Sequence, residues 1–143
     1  MDALAPLIHN ISDTALLIAA IRAREDERPK GLFRDPFARR LAGERGLQIL
    51  EGVPHAKRIE WALVTRTYLI DQFISEQVHQ GIDTVLNLAA GLDTRPYRMT
   101  LPAALHWIEV DLPDLFDYKE EVLGREKPVC ALERVRLDLT NAM

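Results

Sequence analysis

Apolar residues Ile59, Leu63, Ile70, Ile74 and Val78 recur at helical steps across residues 55–80, which predicts the longest helix of the chain, with Gly81 ending it. Ser12, Asp13 and Thr14 offer N-cap oxygens ahead of the apolar run 15–21, and Arg22 and Arg24 suit the far end, so a helix is expected over about 13–25. Residues 25–34 are charged and contain Pro29 and Gly31, the pattern of an exposed loop whose mixed charges serve solvation. Asp35 and Pro36 start a short helix to about Ala42, as cap and first helical residue. Gly43, Gly46, Gly52 and Pro54 break up the stretch after Ala42. Beyond Gly81 the pattern changes to short apolar runs at 84–88, 105–110 and 134–137, separated by helical segments at 96–101 and 113–123. Such alternation predicts βαβ units, hence an α/β fold with a parallel sheet preceded by helices.

The first predicted strand runs into Ala89-Ala90-Gly91, a turn of small side chains where backbone N–H groups can approach a ligand and Gly91 can take positive φ. About twenty residues later the second strand ends at Asp111, the distance at which an acid commonly accepts hydrogen bonds from ribose hydroxyls. A tight strand-to-helix connection with no ligand explains the same small residues, and a Gly-Lys-Ser/Thr phosphate loop is absent. Arg66 falls between Leu63 and Ile70 on the apolar stripe. A guanidinium buried there requires a carboxylate, from the protein or from a ligand.

With 143 residues, 48% of them hydrophobic, the chain can bury a sizeable core in one domain. A net charge of −4 with no isolated Lys/Arg block provides no footprint for nucleic acid. Cys130 is the single cysteine, so an intramolecular disulfide is impossible and a reducing cytoplasmic setting fits. The start at Met1-Asp2 lacks a basic leader, and the apolar run 15–21 is too short to span a bilayer, so no membrane association is expected. His9, His55, His79 and His106 lie too far apart for a paired metal-ligand motif, and no metal is expected.

The run Asn87-Leu88-Ala89-Ala90-Gly91-Leu92-Asp93-Thr94-Arg95-Pro96-Tyr97-Arg98, followed by Trp107-Ile108-Glu109-Val110-Asp111-Leu112-Pro113, closely resembles the bacterial branch of the leucine carboxyl methyltransferase family. Thr14-Ala15-Leu16, Arg22-Ala23-Arg24 and Phe33-Arg34-Asp35-Pro36-Phe37-Ala38 are similar to its N-terminal helices. The resemblance implies a Rossmann-like class I methyltransferase fold and S-adenosyl-L-methionine as cofactor, with O-methylation of a small-molecule or carboxylate acceptor. It further implies that Ala89, Ala90 and Gly91 lie under the methionine part, that Asp111 takes the ribose hydroxyls with Leu112 also among the cofactor-binding residues, and that Asp138 and Leu139 flank the adenine. Arg66 falls where the family holds the cofactor's carboxylate. If Ala89 must be left-handed, its turn is strained. No catalytic base is identified, and Tyr97, Arg98 and Tyr118 are packing or surface residues more often than acceptor contacts.

The resemblance implies more strands than the three found here, so residues 1–80 are expected to form an N-terminal helical cap segment and 81–143 the first half of the cofactor-binding sheet, as one truncated domain ending at Asn141-Ala142-Met143. The incomplete sheet leaves an edge uncovered and invites a homodimer. Two other functions compete. One is a non-catalytic cofactor-binding or assembly fragment; the other, a nicotinamide dehydrogenase, fits poorly because the glycine spacing is wrong and no Tyr-Lys or His pair is evident.

Overall fold

Alanine-rich faces and one glycine allow the first two helices to approach closely. The computed structural model describes residues 10–141, and Met1, Asp2, His9, Ala142 and Met143 lie outside them. Two compact units divide the chain, one up to Ile70 and one from Asp71.

In the first unit, α1 (Ile11–Glu27) packs on α2 (Ala38–Gly52). Leu17, Ala19, Ala20, Ile21 and Ala23 are buried on α1, and Leu41, Ala42, Ile49 and Leu50 on α2. Of the glycines expected to break the chain after Ala42, Gly43 does so: its φ of 59° and ψ of −173° are non-helical and divide α2 into two pieces across a kink, whereas Gly46 lies inside the second piece. Gly46 lets the helices touch, since a Cβ there would sit 2.6 Å from the Leu16 carbonyl oxygen. The cap of α1 is Asn10, whose side chain accepts from the Asp13 N–H at 2.9 Å, and Asp13, expected among the capping residues, instead pairs with Arg45 at 3.2 Å.

The segment expected to be an exposed loop is exposed at residues 27–30, 32 and 34, but charges in and around it also pair with the interior. Glu25 is buried and accepts from the Leu32 N–H at 2.8 Å and from Arg28 at 3.2 Å. Arg22 donates to buried Asp35 at 2.9 Å, and Arg24 reaches Glu60 at 2.5 Å. These charges therefore do more than keep the segment wet: they satisfy backbone and side-chain groups in the interior.

Helix α3 (Ala56–His79) matches the long apolar periodicity and carries the chain from the first unit into the second. Its most buried residues are Glu60, Val64 and Asp71, four and seven apart, whereas Arg66 is exposed and makes no ion pair among the described residues. The expectation that Arg66 lies on a buried stripe is thus corrected. The true ridge includes two carboxylates, which a stripe drawn from apolar residues alone overlooks, and Arg66 falls beside it. Trp61, Leu69 and Phe73 of the same helix are exposed.

The second unit holds a parallel sheet in the order β1 (Thr84–Leu88), β2 (His106–Asp111), β3 (Ala131–Arg136), with α4 (Arg95–Arg98) and α5 (Pro113–Leu123) in the connections. Register aligns Val85, Trp107 and Leu132 across one face, where Trp107, Leu105 and Cys130 form a core with Ile74 and Val78 of α3. One step along that face, Glu109 lies beside Arg134 and receives Lys119 Nζ at 2.9 Å on both oxygens and Arg134 Nε at 3.0 Å. Burial pushes the Glu109 carboxyl up and the Lys119 ammonium down in pKa, each against the pull of the other. On the opposite face Leu86 is 59% and Leu88 56% exposed, against 1% for Trp107, while Val110 is buried.

Gly46→Ala is expected to destabilise the chain by about 1–3 kcal/mol, because the new methyl group meets backbone that cannot swing away. Chemical denaturation of the two proteins measures the difference, and equal midpoints would show that the helices can part without cost.

Candidate functional site

A strand that ends in a glycine turn presents backbone N–H groups at the carboxyl end of a parallel sheet, where such sheets commonly bind ligands. Here β1 gives way to Ala89 with φ 54°, then Ala90, then Gly91 with φ 55°. The left-handed Ala89 realises the strain anticipated from its sequence position. The Ala90 N–H donates to the Val110 carbonyl at 3.2 Å, which ties the turn to the end of β2. A Cβ added to Gly91 would meet no heavy atom within 4 Å, so the turn borders open space.

Asp111 closes β2 and braces that turn. Its Oδ2 accepts from the Gly91 N–H at 2.7 Å, and its Oδ1 from the Leu112 N–H at 2.7 Å. A carboxylate has about four acceptor positions, so both oxygens of this half-exposed group can take further donors. Leu112 then leads through Pro113, at the first position of α5.

Asp138 comes after β3, so it lies at the same end of the sheet as Asp111, whose register partner on β3 is Arg136. The two are otherwise unlike. Asp138 Oδ1 accepts from the Thr140 N–H at 2.9 Å and from Thr140 Oγ1 at 2.6 Å, and its Oδ2 from Asn141 Nδ2 at 3.2 Å. These bonds from Thr140 hold its pKa below the usual aspartate range. Leu139 is exposed in the short 3-10 turn Leu139–Asn141.

The second unit therefore gathers Ala89, Ala90, Gly91, Asp111 and Leu112 around one turn and keeps Asp138 and Leu139 at the same sheet end. Arg66 belongs to the other unit. Tyr97 and Arg98, weighed as acceptor contacts, have internal partners: the Tyr97 hydroxyl lies 2.6 Å from Arg134 Nη2, and Arg98 donates to Asp71 at 2.8 and 2.9 Å. Sequence reasoning missed Asp93, whose Oδ2 accepts from Asn87 Nδ2 at 2.9 Å and from Arg95 Nη1 at 2.7 Å. The one available signal was the need of Arg95 and Arg98, so close to apolar strands, for counter-charges.

Residues 15–143 match the model of the family described as leucine carboxyl methyltransferase. The chain belongs to this family. Among similar proteins, one from Streptomyces coelicolor is 35% identical over 130 residues, which cover 85% of this chain and 46% of that protein. One from Mycobacterium avium is 36% identical over 146 residues, covering 90% of this chain and 46% of its own length. A third, from Frankia alni, is 35% identical over 131 residues, with 85% and 46% covered. All three are provisionally named S-adenosyl-L-methionine-dependent methyltransferases. This family member spans about half the length of these relatives.

The Thr140 bonds give a titration with a definite sign. A folded-state pKa below the unfolded one makes Asp138 stabilising above the ordinary aspartate range, and that stabilisation is lost as pH falls through the depressed value. Carboxyl-carbon NMR is expected to put the Asp138 midpoint below that of an unstructured aspartate, and Thr140→Ala to raise it. A midpoint indifferent to Thr140 would remove the assigned cause.

Proposed function

We propose that this chain is the cofactor-binding part of an S-adenosyl-L-methionine-dependent methyltransferase that methylates an oxygen of a small-molecule or carboxylate acceptor. The observation that carries the reading is the bond from the Gly91 N–H to Asp111, 2.7 Å long, which joins the small-residue turn to an acid with acceptor capacity in reserve. In this reading Asp111 receives the ribose hydroxyls and the backbone of Ala89, Ala90 and Gly91 runs beneath the methionine part. Leu112 belongs to the same cofactor-binding set, and Asp138 and Leu139 flank the adenine. Arg66, exposed on α3, pairs with the cofactor's carboxylate. Family membership and the names of the relatives support the cofactor, and the residue roles follow the resemblance of the motifs.

When bound, the cofactor supplies a methyl group already activated on a sulfonium sulfur, so the protein's task is to bind, orient and exclude water. A carboxylate acceptor needs no base, whereas an alcohol or phenol must lose a proton to one. Among the described residues no helix is long and apolar enough to cross a membrane, and we assign the protein to the cytoplasm, with no nucleic acid or metal required. A second reading, a cofactor-binding or assembly piece without transfer, draws on the 46% coverage of the relatives and on the exposed Leu86 and Leu88.

Calorimetry with S-adenosylhomocysteine tests the cofactor site: the wild-type chain binds, and Asp111→Ala weakens binding at least about tenfold through loss of charge-assisted hydrogen bonds. Absence of wild-type binding would sink the first reading and favour a structural assembly piece, and binding without transfer of a labelled methyl group from S-adenosyl-L-methionine would leave a cofactor-binding piece without transfer.

The open edge of β1 and exposed Leu86 and Leu88 further support a homodimer. Light scattering after size exclusion should give twice the chain mass at micromolar concentration, and the mass of one chain when both leucines are changed to lysine. A wild-type monomer would rule the dimer out.

A further inference from the structure

The turn beside Asp111 contains two left-handed residues, and one of them, Ala89, bears a side chain that disfavours this backbone. Strain of this sort persists only where the surroundings over-determine it. Asp111 restrains the Gly91 side. On the other side stands a relay of buried charges that the cofactor reading does not use.

Asp71, buried on α3, accepts from Arg95 Nε at 2.7 Å and Arg98 Nη2 at 2.9 Å on Oδ1, and from Arg98 Nη1 at 2.8 Å on Oδ2. Arg95 passes the restraint on, its Nη1 lying 2.7 Å from Asp93 Oδ2 and its backbone N–H 2.9 Å from Asp93 Oδ1. Asp93 closes the loop in both directions: its Oδ2 accepts from Asn87 on β1 at 2.9 Å, and its N–H donates to the Ala90 carbonyl at 3.1 Å. The relay thus runs from α3 to both ends of the turn. Two carboxylates balance two guanidinium groups, all of them largely shielded from water. Removal of Asp71 alone would leave an excess of buried positive charge and release Arg95 from the geometry in which it grips Asp93.

We propose that Asp71 is a positioning residue which, through Arg95 and Asp93, holds the Ala89–Gly91 turn in the left-handed form that the cofactor site requires. The proposal rests on the cofactor reading for its functional consequence, but the bracing of the turn can be judged without ligand. The hydrogen bonds of Asp71 go to Arg95 and Arg98 rather than to the turn, so its effect travels through those side chains.

Two measurements on the full chain test this. Without ligand, Asp71→Asn should speed hydrogen exchange of the Gly91 amide about tenfold relative to the amides of β2, as the turn opens locally. With S-adenosylhomocysteine as probe, Asp71→Asn should weaken binding about tenfold in the Ala89 chain and less than about threefold in an Ala89→Gly background, where the left-handed form no longer needs bracing. A merely structural role would cost the same in both backgrounds. If Asp71→Asn does not melt cooperatively, Asp71→Glu, which keeps the charge but displaces it, supplies the same comparison. Unchanged Gly91 exchange, unaltered affinity, or equal losses in the two backgrounds would overturn the proposal. If Asp111→Ala abolishes binding while Asp71→Asn leaves it intact, the cofactor reading stands and the positioning role falls. If the wild-type chain does not bind, the cofactor reading falls, and with it the functional part of the proposal, while the exchange result still decides the bracing.

Discussion

The hydrogen bond from the Gly91 N–H to the Asp111 carboxylate joins two strand ends that are adjacent only because β1 and β2 pair in parallel. A left-handed bend at Ala89 costs on the order of 1–2 kcal/mol, and nothing local repays it. The cost is met by the geometry that the bend creates: an N–H aimed along the sheet edge at an acid with acceptor positions left over. Parallel pairing, a small-residue bend and an acid at the second strand's end are therefore interdependent. Loss of any one removes the reason for the other two.

Around this edge the second unit distributes charge in a way that would be wasteful in a purely apolar core. Glu109, Lys119 and Arg134 form one buried cluster, and Asp71, Asp93, Arg95 and Arg98 another. Buried ion pairs of this type contribute little net stability, since desolvation offsets their attraction, but breaking one partner is costly, commonly about 3–5 kcal/mol. They are best understood as geometric constraints. The first fixes α5 on the central strand, and the second fixes the segment after the turn.

Apolar surface tells a different story on the two faces of the sheet. Trp107 and its neighbours are enclosed, while Leu86 and Leu88 of β1, on the other face, stand exposed. A parallel sheet is ordinarily covered on both faces. Relatives of about twice the length have polypeptide in excess of the portion matched here.

Local patterning was enough for much of this. The bounds of β1 and α5, the long α3, the parallel alternation and the pairing of a small-residue turn with Asp111 are legible in the chain, because strand period, helix period, proline placement and a twenty-residue interval are local quantities. Three-dimensional packing decided the rest. Gly46 was indistinguishable from a breaker until Leu16 lay against it, and nothing local marks Glu60 and Asp71 as buried acids, since Arg24, Arg95 and Arg98 reach them only in the folded chain. Arg66 went the other way, to the surface. Periodicity reports which residues share a face, but whether a charge on that face is buried depends on a partner from a distant segment, and only the folded chain brings that partner within hydrogen-bond range.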